Sequence, residues 1–198
     1  MPHGRVSRLR ALGTCWHDLA WRLYQTALRA ERAAAAERSS WADQRNGELA
    51  AAVESEFQGR LTRWLRIRLA RWPWWGRGHL ELGRISLARS DIATAYASAR
   101  AAGELLHSTS GAFEARVLEA RACLARGAHD RARPLLLELC RLRPDDVALA
   151  EDLAACSMAA GDWSGACEIL ERIPEERRSG EGIAALAWAR RQISEEMQ

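Results

Sequence analysis

The sequence predicts an all-α fold, a helical-hairpin solenoid of about three repeats with helical additions at both ends, and three observations carry that expectation. The apolar fraction of 48% comes mostly from Ala and Leu, with only two Phe and two Tyr, so runs suited to strands are hard to find. Ala, Leu, Arg and Glu have high helix propensity, and summed over long windows they favour helices. A short turn segment also recurs, at intervals of 37 and 34 residues, which marks a fold built by repetition. The 198 residues suffice for one compact domain, or for small stacked units with a helical extension.

The front comes first. Residues 5–37 run rich in Arg, Ala and Leu without a Pro, and Ser39-Ser40 then offers an N-cap with Asp43 placed to return the bond. Asn46-Gly47 is expected to interrupt that second helix, which resumes from about Glu48 and stops at Pro73, whose ring pushes Trp72 extended. Residues 41–72 are a candidate for one degenerate extra repeat. Within them begins the most unusual stretch, Gly59 to Trp75, with five Arg, four Trp and no acid. At 100° per residue Leu61, Trp64, Leu65 and Trp72 share a side, yet Arg68 and Arg71 fall on or beside it. Three roles fit this mixture: internal packing, a partner-protein surface where Arg stacks on Trp, or docking on an anionic membrane. The candidate surface comprises Arg60, Arg63, Trp64, Arg66, Arg68, Arg71, Trp72, Trp74 and Trp75.

Beyond Pro73 the repetition is explicit. The segment from Ala125 to Ala132 recurs as Ala159 to Ala166, with Gly161 lying 34 residues after Gly127. A third copy, Ala88 to Ala95, has Ser90 where the others have Gly. Gly127 and Gly161 are each expected to end one helix at a left-handed turn before a partner helix begins. Ala132 and Ala166 supply small residues where paired helices approach, and Leu136 and Leu170 fill the space one turn on. Leu82-Gly83 early in a first helix, Ala95, Ala132 and Ala166 early in second helices, and Pro144 near a repeat end complete a pattern that resembles the tetratricopeptide repeat. The resemblance covers roughly residues 76–179. It departs at Ala120 and Ala154, which replace the early Gly, and at Ser86, Cys123 and Ser157, which replace an aromatic.

That resemblance implies a right-handed solenoid whose last unit needs a lid, and the helix from Gly182 to Trp188 reads as that cap. The expected division is 1–72, a basic, Trp-rich helical extension, and 76–198, the repeats with their cap. It also implies a concave groove lined by the first helix of each repeat. By register the groove takes Arg77, Leu80, Arg84 and Leu87, then Val117, Arg121 and Leu124, then Glu151, Ala155 and Met158. Arg84 and Arg121 recur at one place and Leu87, Leu124 and Met158 at another, so an acidic-hydrophobic protein segment is the expected ligand. The Lys and Asn with which chaperone-tail clamps of this family line their grooves are absent here.

Composition narrows the function further. All 29 basic residues are Arg, and the net charge of +3 is too small to argue for nucleic acid. Residues 1–112 carry 17 Arg against 10 acids, whereas residues 113–198 carry 12 against 16, so the front is basic and the back acidic. Five cysteines without a close Cys-x-x-Cys pair argue against a disulfide framework and for buried thiols in a reducing compartment. The first twenty residues lack the apolar core of a signal or spanning helix, so a cytoplasmic location is expected, with the inner face of a membrane as the alternative. Five dispersed His, no Gly-rich phosphate loop and no nucleophile elbow leave no metal, cofactor or catalytic residue to name. The expectation is a non-catalytic scaffold or adaptor, holding a protein segment in its groove and anchored to a larger assembly through the basic front. The alternative is a peripheral membrane assembly factor docking through Arg60 to Trp75. Oligomeric state stays open.

Overall fold

Three left-handed residues punctuate the chain, at Ser90 (φ 60°), Gly127 (φ 75°) and Gly161 (φ 76°). Each closes one helix of a hairpin and opens the next. The computed structural model describes residues 18–27, 29, 30, 33, 46–107 and 109–196. In order these form α1 (residues 18–27), α2 (Asn46–Arg71), α3 (Gly76–Ala88), α4 (Ile92–Leu105), α5 (Thr109–Ala125), α6 (His129–Leu142), α7 (Val147–Ala159), α8 (Trp163–Glu171), a 3-10 turn (Glu175–Arg177) and α9 (Gly180–Glu196). No strand occurs among the described residues. Helices α3 to α9 each pack on the next, and α3, α5, α7 and α9 also touch in series, so the hairpins stack in chain order as a helical solenoid.

The turn chemistry is the same three times, with one device missing in two of the copies. Asp91 caps α4 by accepting from the Thr94 N–H at 3.2 Å, and Asp162 caps α8 by accepting from the Gly165 N–H at 2.9 Å. Ala128 occupies the equivalent place before α6 and makes no side-chain cap. Conversely, the first turn places Ser where the others place Gly, although a side chain at positive φ is strained.

Small residues then let the paired helices close. Ala95, Ala132 and Ala166 are all fully buried, as are Leu136 and, nearly so, Leu170, in the roles expected of them. Gly83 is needed for close approach, because a Cβ there would lie 2.6 Å from Leu118 Cδ2 and 3.3 Å from the Ala95 carbonyl oxygen. One core gathers Ala120, Cys123, Leu136, Leu139, Leu149, Leu153 and Cys156 between α5, α6 and α7. Truncating such a Leu to Ala costs about 2–5 kcal/mol. The last core joins Ala166, Cys167 and Leu170 to Leu186 and Ala189 of α9. That helix thus covers the end of α8, while Trp188 meets Trp163 edge-on at 4.8 Å and stays 46% exposed.

At the front, α2 lies on α3 through Leu61, Leu65 and Leu69, which share a cluster with Trp21, Trp75 and Leu82. The helix begins at Asn46, earlier than Glu48, so Asn46-Gly47 forms its first turn and does not interrupt it. It ends at Arg71, two residues before Pro73. The expected Ser39-Ser40 cap and Asp43 lie outside the described residues, as does most of the 5–37 helix; residues 18–27 within it are helical.

Candidate functional site: a cleft across three repeats

An open cleft of about 610 Å³ runs across α3, α5 and the start of α7. Leu87, Val117 and Phe113 form its apolar strip, and Arg84, Arg121 and Arg143 stand around it. The first helices of successive repeats supply these groups because residues three, four and seven apart share one helical face. Four of the groove residues expected from the sequence therefore meet: Arg84, Leu87, Val117 and Arg121.

The cations of this cleft are already engaged. Arg84 donates from Nη2 to Glu114 Oε2 at 2.7 Å and from Nη1 to Glu81 Oε1 at 3.2 Å. Arg121 donates from Nε to Asp152 Oδ2 at 2.8 Å. The Arg84–Glu114 and Arg121–Asp152 pairs each join the first helix of one repeat to the first helix of the next. Glu151 continues the series by accepting from the Ser179 N–H at 2.8 Å, just before α9. Arg143 lies over the Phe113 ring, 3.9 Å from its centroid. Burial pushes the Glu81 carboxyl above its ordinary value, and the nearby Arg84 and Arg77 only partly oppose that shift.

Several expected groove residues sit elsewhere. Leu80 is 1% exposed and closed to a ligand, because Ala99, Ala102 and Ala115 leave a space into which the longer side chain sinks. Leu124 is half-buried against the core of α5 to α7, and Met158 against that of α8 and α9. Arg77 is exposed, near Glu81. Sequence register overlooked Phe113, Glu114, Arg143 and Asp152. Glu114 was detectable in principle, since it holds in α5 the place that Arg77 holds in α3.

The Trp- and Arg-rich segment divides. Trp75, expected on a partner surface, is 1% exposed, and its Nε1 donates to Asp18 Oδ1 at 2.7 Å, tying α1 to the start of α3. Trp64 is half-buried against the same cluster, stacked on Tyr24 with centroids 5.2 Å apart and edge-on to Trp75 at 6.0 Å. Arg68, which spoils the apolar side on a helical wheel, lies over the rings of both Trp64 and Trp72. Trp72 is half-buried and Arg71 also stacks on it. Arg60, Arg63, Arg66, Ile67, Arg71 and Trp74 remain exposed.

Among the described residues no three His, Cys, Asp or Glu gather as a metal set, and no helix is long and apolar enough to cross a membrane. Cys123, Cys156 and Cys167 are buried and Cys140 half-buried. Burial raises all four thiols, Cys156 to about 11.

The sequence model of the tetratricopeptide repeat family matches residues 124–189, from the end of α5 into α9. Over those residues the chain is similar to that family. Repeats of this family are protein-interaction scaffolds, and their usual work is binding without chemistry. The α3–α4 hairpin lies before the match, yet it shares the left-handed turn and the buried Ala with both hairpins behind it, and the Asp cap with α7–α8. No match to the chain was found among curated proteins.

Proposed function

We propose that the chain is a non-catalytic adaptor that holds a segment of another protein in the cleft across α3, α5 and α7. The observation that carries this reading is the apolar strip of Leu87, Phe113 and Val117, left open on a tetratricopeptide scaffold and framed by charges already paired with one another. A ligand that lays apolar side chains on the strip gains burial worth about 25 cal/mol per Å². An incoming carboxylate would compete with Glu114 for Arg84 and with Asp152 for Arg121. The cleft thus supports the hydrophobic part of the expected acidic-hydrophobic ligand more than the acidic part. Affinity capture with the intact chain, compared with a Val117→Arg variant that keeps its helical signal, tests this. Partners retained equally by both proteins would overturn the reading.

In this reading the front helices anchor the scaffold to a larger assembly. Arg60, Arg63, Ile67 and Arg71 recur at helical spacing on the outer side of α2, with Trp74 beyond its end. The exposed Ile67 and Trp74 among those cations also favour a second reading, peripheral docking on anionic lipid. Salt-sensitive flotation with anionic liposomes, lost on Ile67→Ser with Trp74→Ser, would favour lipid over protein.

A further inference from the structure

We infer that the recess between α2 and the α3–α4 turn, where Arg63, Arg66 and Arg89 converge beside Ile67, docks an acidic protein segment that carries an apolar residue. Charge accounting leads to this place. In the concave cleft Arg84 and Arg121 each hold a carboxylate within 2.8 Å. Here the balance is different. A recess of about 510 Å³ is lined by three Arg and by Asp91 alone among acids.

That Asp is committed elsewhere. Its carboxylate accepts the Thr94 N–H as the cap of α4, and its contact with Arg66 Nη2 is long, at 3.6 Å. Arg66 keeps 59% of its side chain exposed, and Arg63 has no ion pair among the described residues. Arg89 is held in place from behind, since its Nη1 donates to the Ser55 carbonyl at 3.2 Å across α2. The outcome is three guanidinium groups with spare donors and one preoccupied acid. Planar guanidinium forks pair best with carboxylates, two bonds at a time.

Ile67 selects among anions. It lines the same recess and is 65% exposed, so a ligand that covers it must bring an apolar group next to its charges. An acidic segment with an interspersed Leu or Phe does so. A bilayer fits less well: Asp91 lines the recess among its cations, and Trp75, which would have to enter acyl chains, is inside the protein. This inference does not depend on occupancy of the concave cleft.

The test uses the full chain and a fluorescein-labelled peptide of alternating Glu and Leu pairs, read by anisotropy at low salt. The double variant Arg63→Glu with Arg66→Glu should weaken binding at least about tenfold, because it removes two charge-assisted partners of the peptide carboxylates and puts like charges in their place. Replacing the peptide's Glu by Gln should weaken it similarly. Both side chains are solvent-exposed, so the variant should melt like the parent, and Arg131→Glu on α6 together with Arg191→Glu on α9 should leave binding within about twofold as the matched charge change. Equal loss with that distant double variant would overturn the inference, since net charge alone would then explain it. So would no binding at about 1 mM peptide, or binding to phosphatidylserine vesicles but not to peptide that the double variant abolishes.

Discussion

Placing Asp at position 128 should stabilise the middle hairpin by about 1 kcal/mol. The backbone is already set for it. Ala128 has φ −88° and ψ 61°, close to −82° and 74° at Asp91 and −83° and 71° at Asp162. At those two positions the carboxylate takes the N–H three residues on. At Ala128 that donor, the Arg131 N–H, turns back to the Ala128 carbonyl at 3.1 Å, an oxygen that also accepts from Ala132 at 3.1 Å. A carboxylate would give the crowded donor its own acceptor and meet the positive end of the α6 dipole. Asp130 would repel it and Arg131 attract it, two exposed terms of opposite sign. Asp91 and Asp162 are themselves half-buried, so burial at this place is tolerated. For a chain of this size the gain raises the melting temperature by about 2–4 °C. Thermal and urea unfolding followed by far-ultraviolet circular dichroism reads it directly. An unchanged or lower midpoint for Ala128→Asp would refute the argument, because it would mean that equivalent turns do not share one capping requirement.

The first turn offers the complementary test: Ser90→Gly should raise stability by about 0.5–1 kcal/mol through relief at positive φ, seen as a higher urea midpoint. Glu81→Gln should stabilise at neutral pH. The folded carboxyl titrates above its unfolded value, so the ionised form is the disfavoured one above that pKa, and the variant's advantage should shrink as pH falls toward 4.5. Asp91 behaves oppositely: its carboxyl is held below 3.8 by the Thr94 bonds, so its capping contribution is present above 3.8 and lost as pH falls through the folded value. Comparing urea midpoints of parent, Glu81→Gln and Asp91→Asn across the acid range separates the two signs. Finally, iodoacetamide at neutral pH should label Cys123, Cys156 and Cys167 slowly in the folded chain and rapidly in urea, as peptide mapping would show, because burial suppresses their thiolates.

The repeat architecture was legible because its signals are local. A turn needing positive φ, a small residue one helix on and a Leu one turn later can each be found within eight or ten residues, and Gly127, Ala132 and Leu136 behave as their spacing foretells. Even the substituted turn at Ser90 was found by alignment with its Gly counterparts. The cleft was only half legible. Register grouped Arg84, Leu87, Val117 and Arg121, which do line one cleft, but it could not say that Glu114 and Asp152, some thirty residues away, would claim the two Arg. Leu80 was misassigned for a packing reason: three Ala on neighbouring helices created depth that a helical wheel does not display. The Trp-rich segment was hardest to place. Trp serves equally in a core and on an interface, and only the Asp18 acceptor, 57 residues before Trp75 in the chain, decides for the interior.

The contacts from Arg84 to Glu114, Arg121 to Asp152 and Glu151 to Ser179 act like stays strung from one repeat to the next. Each is worth little alone, and the two ion pairs weaken in salt. Raising ionic strength should therefore slacken the joins between α3, α5 and α7 while every helix stays folded.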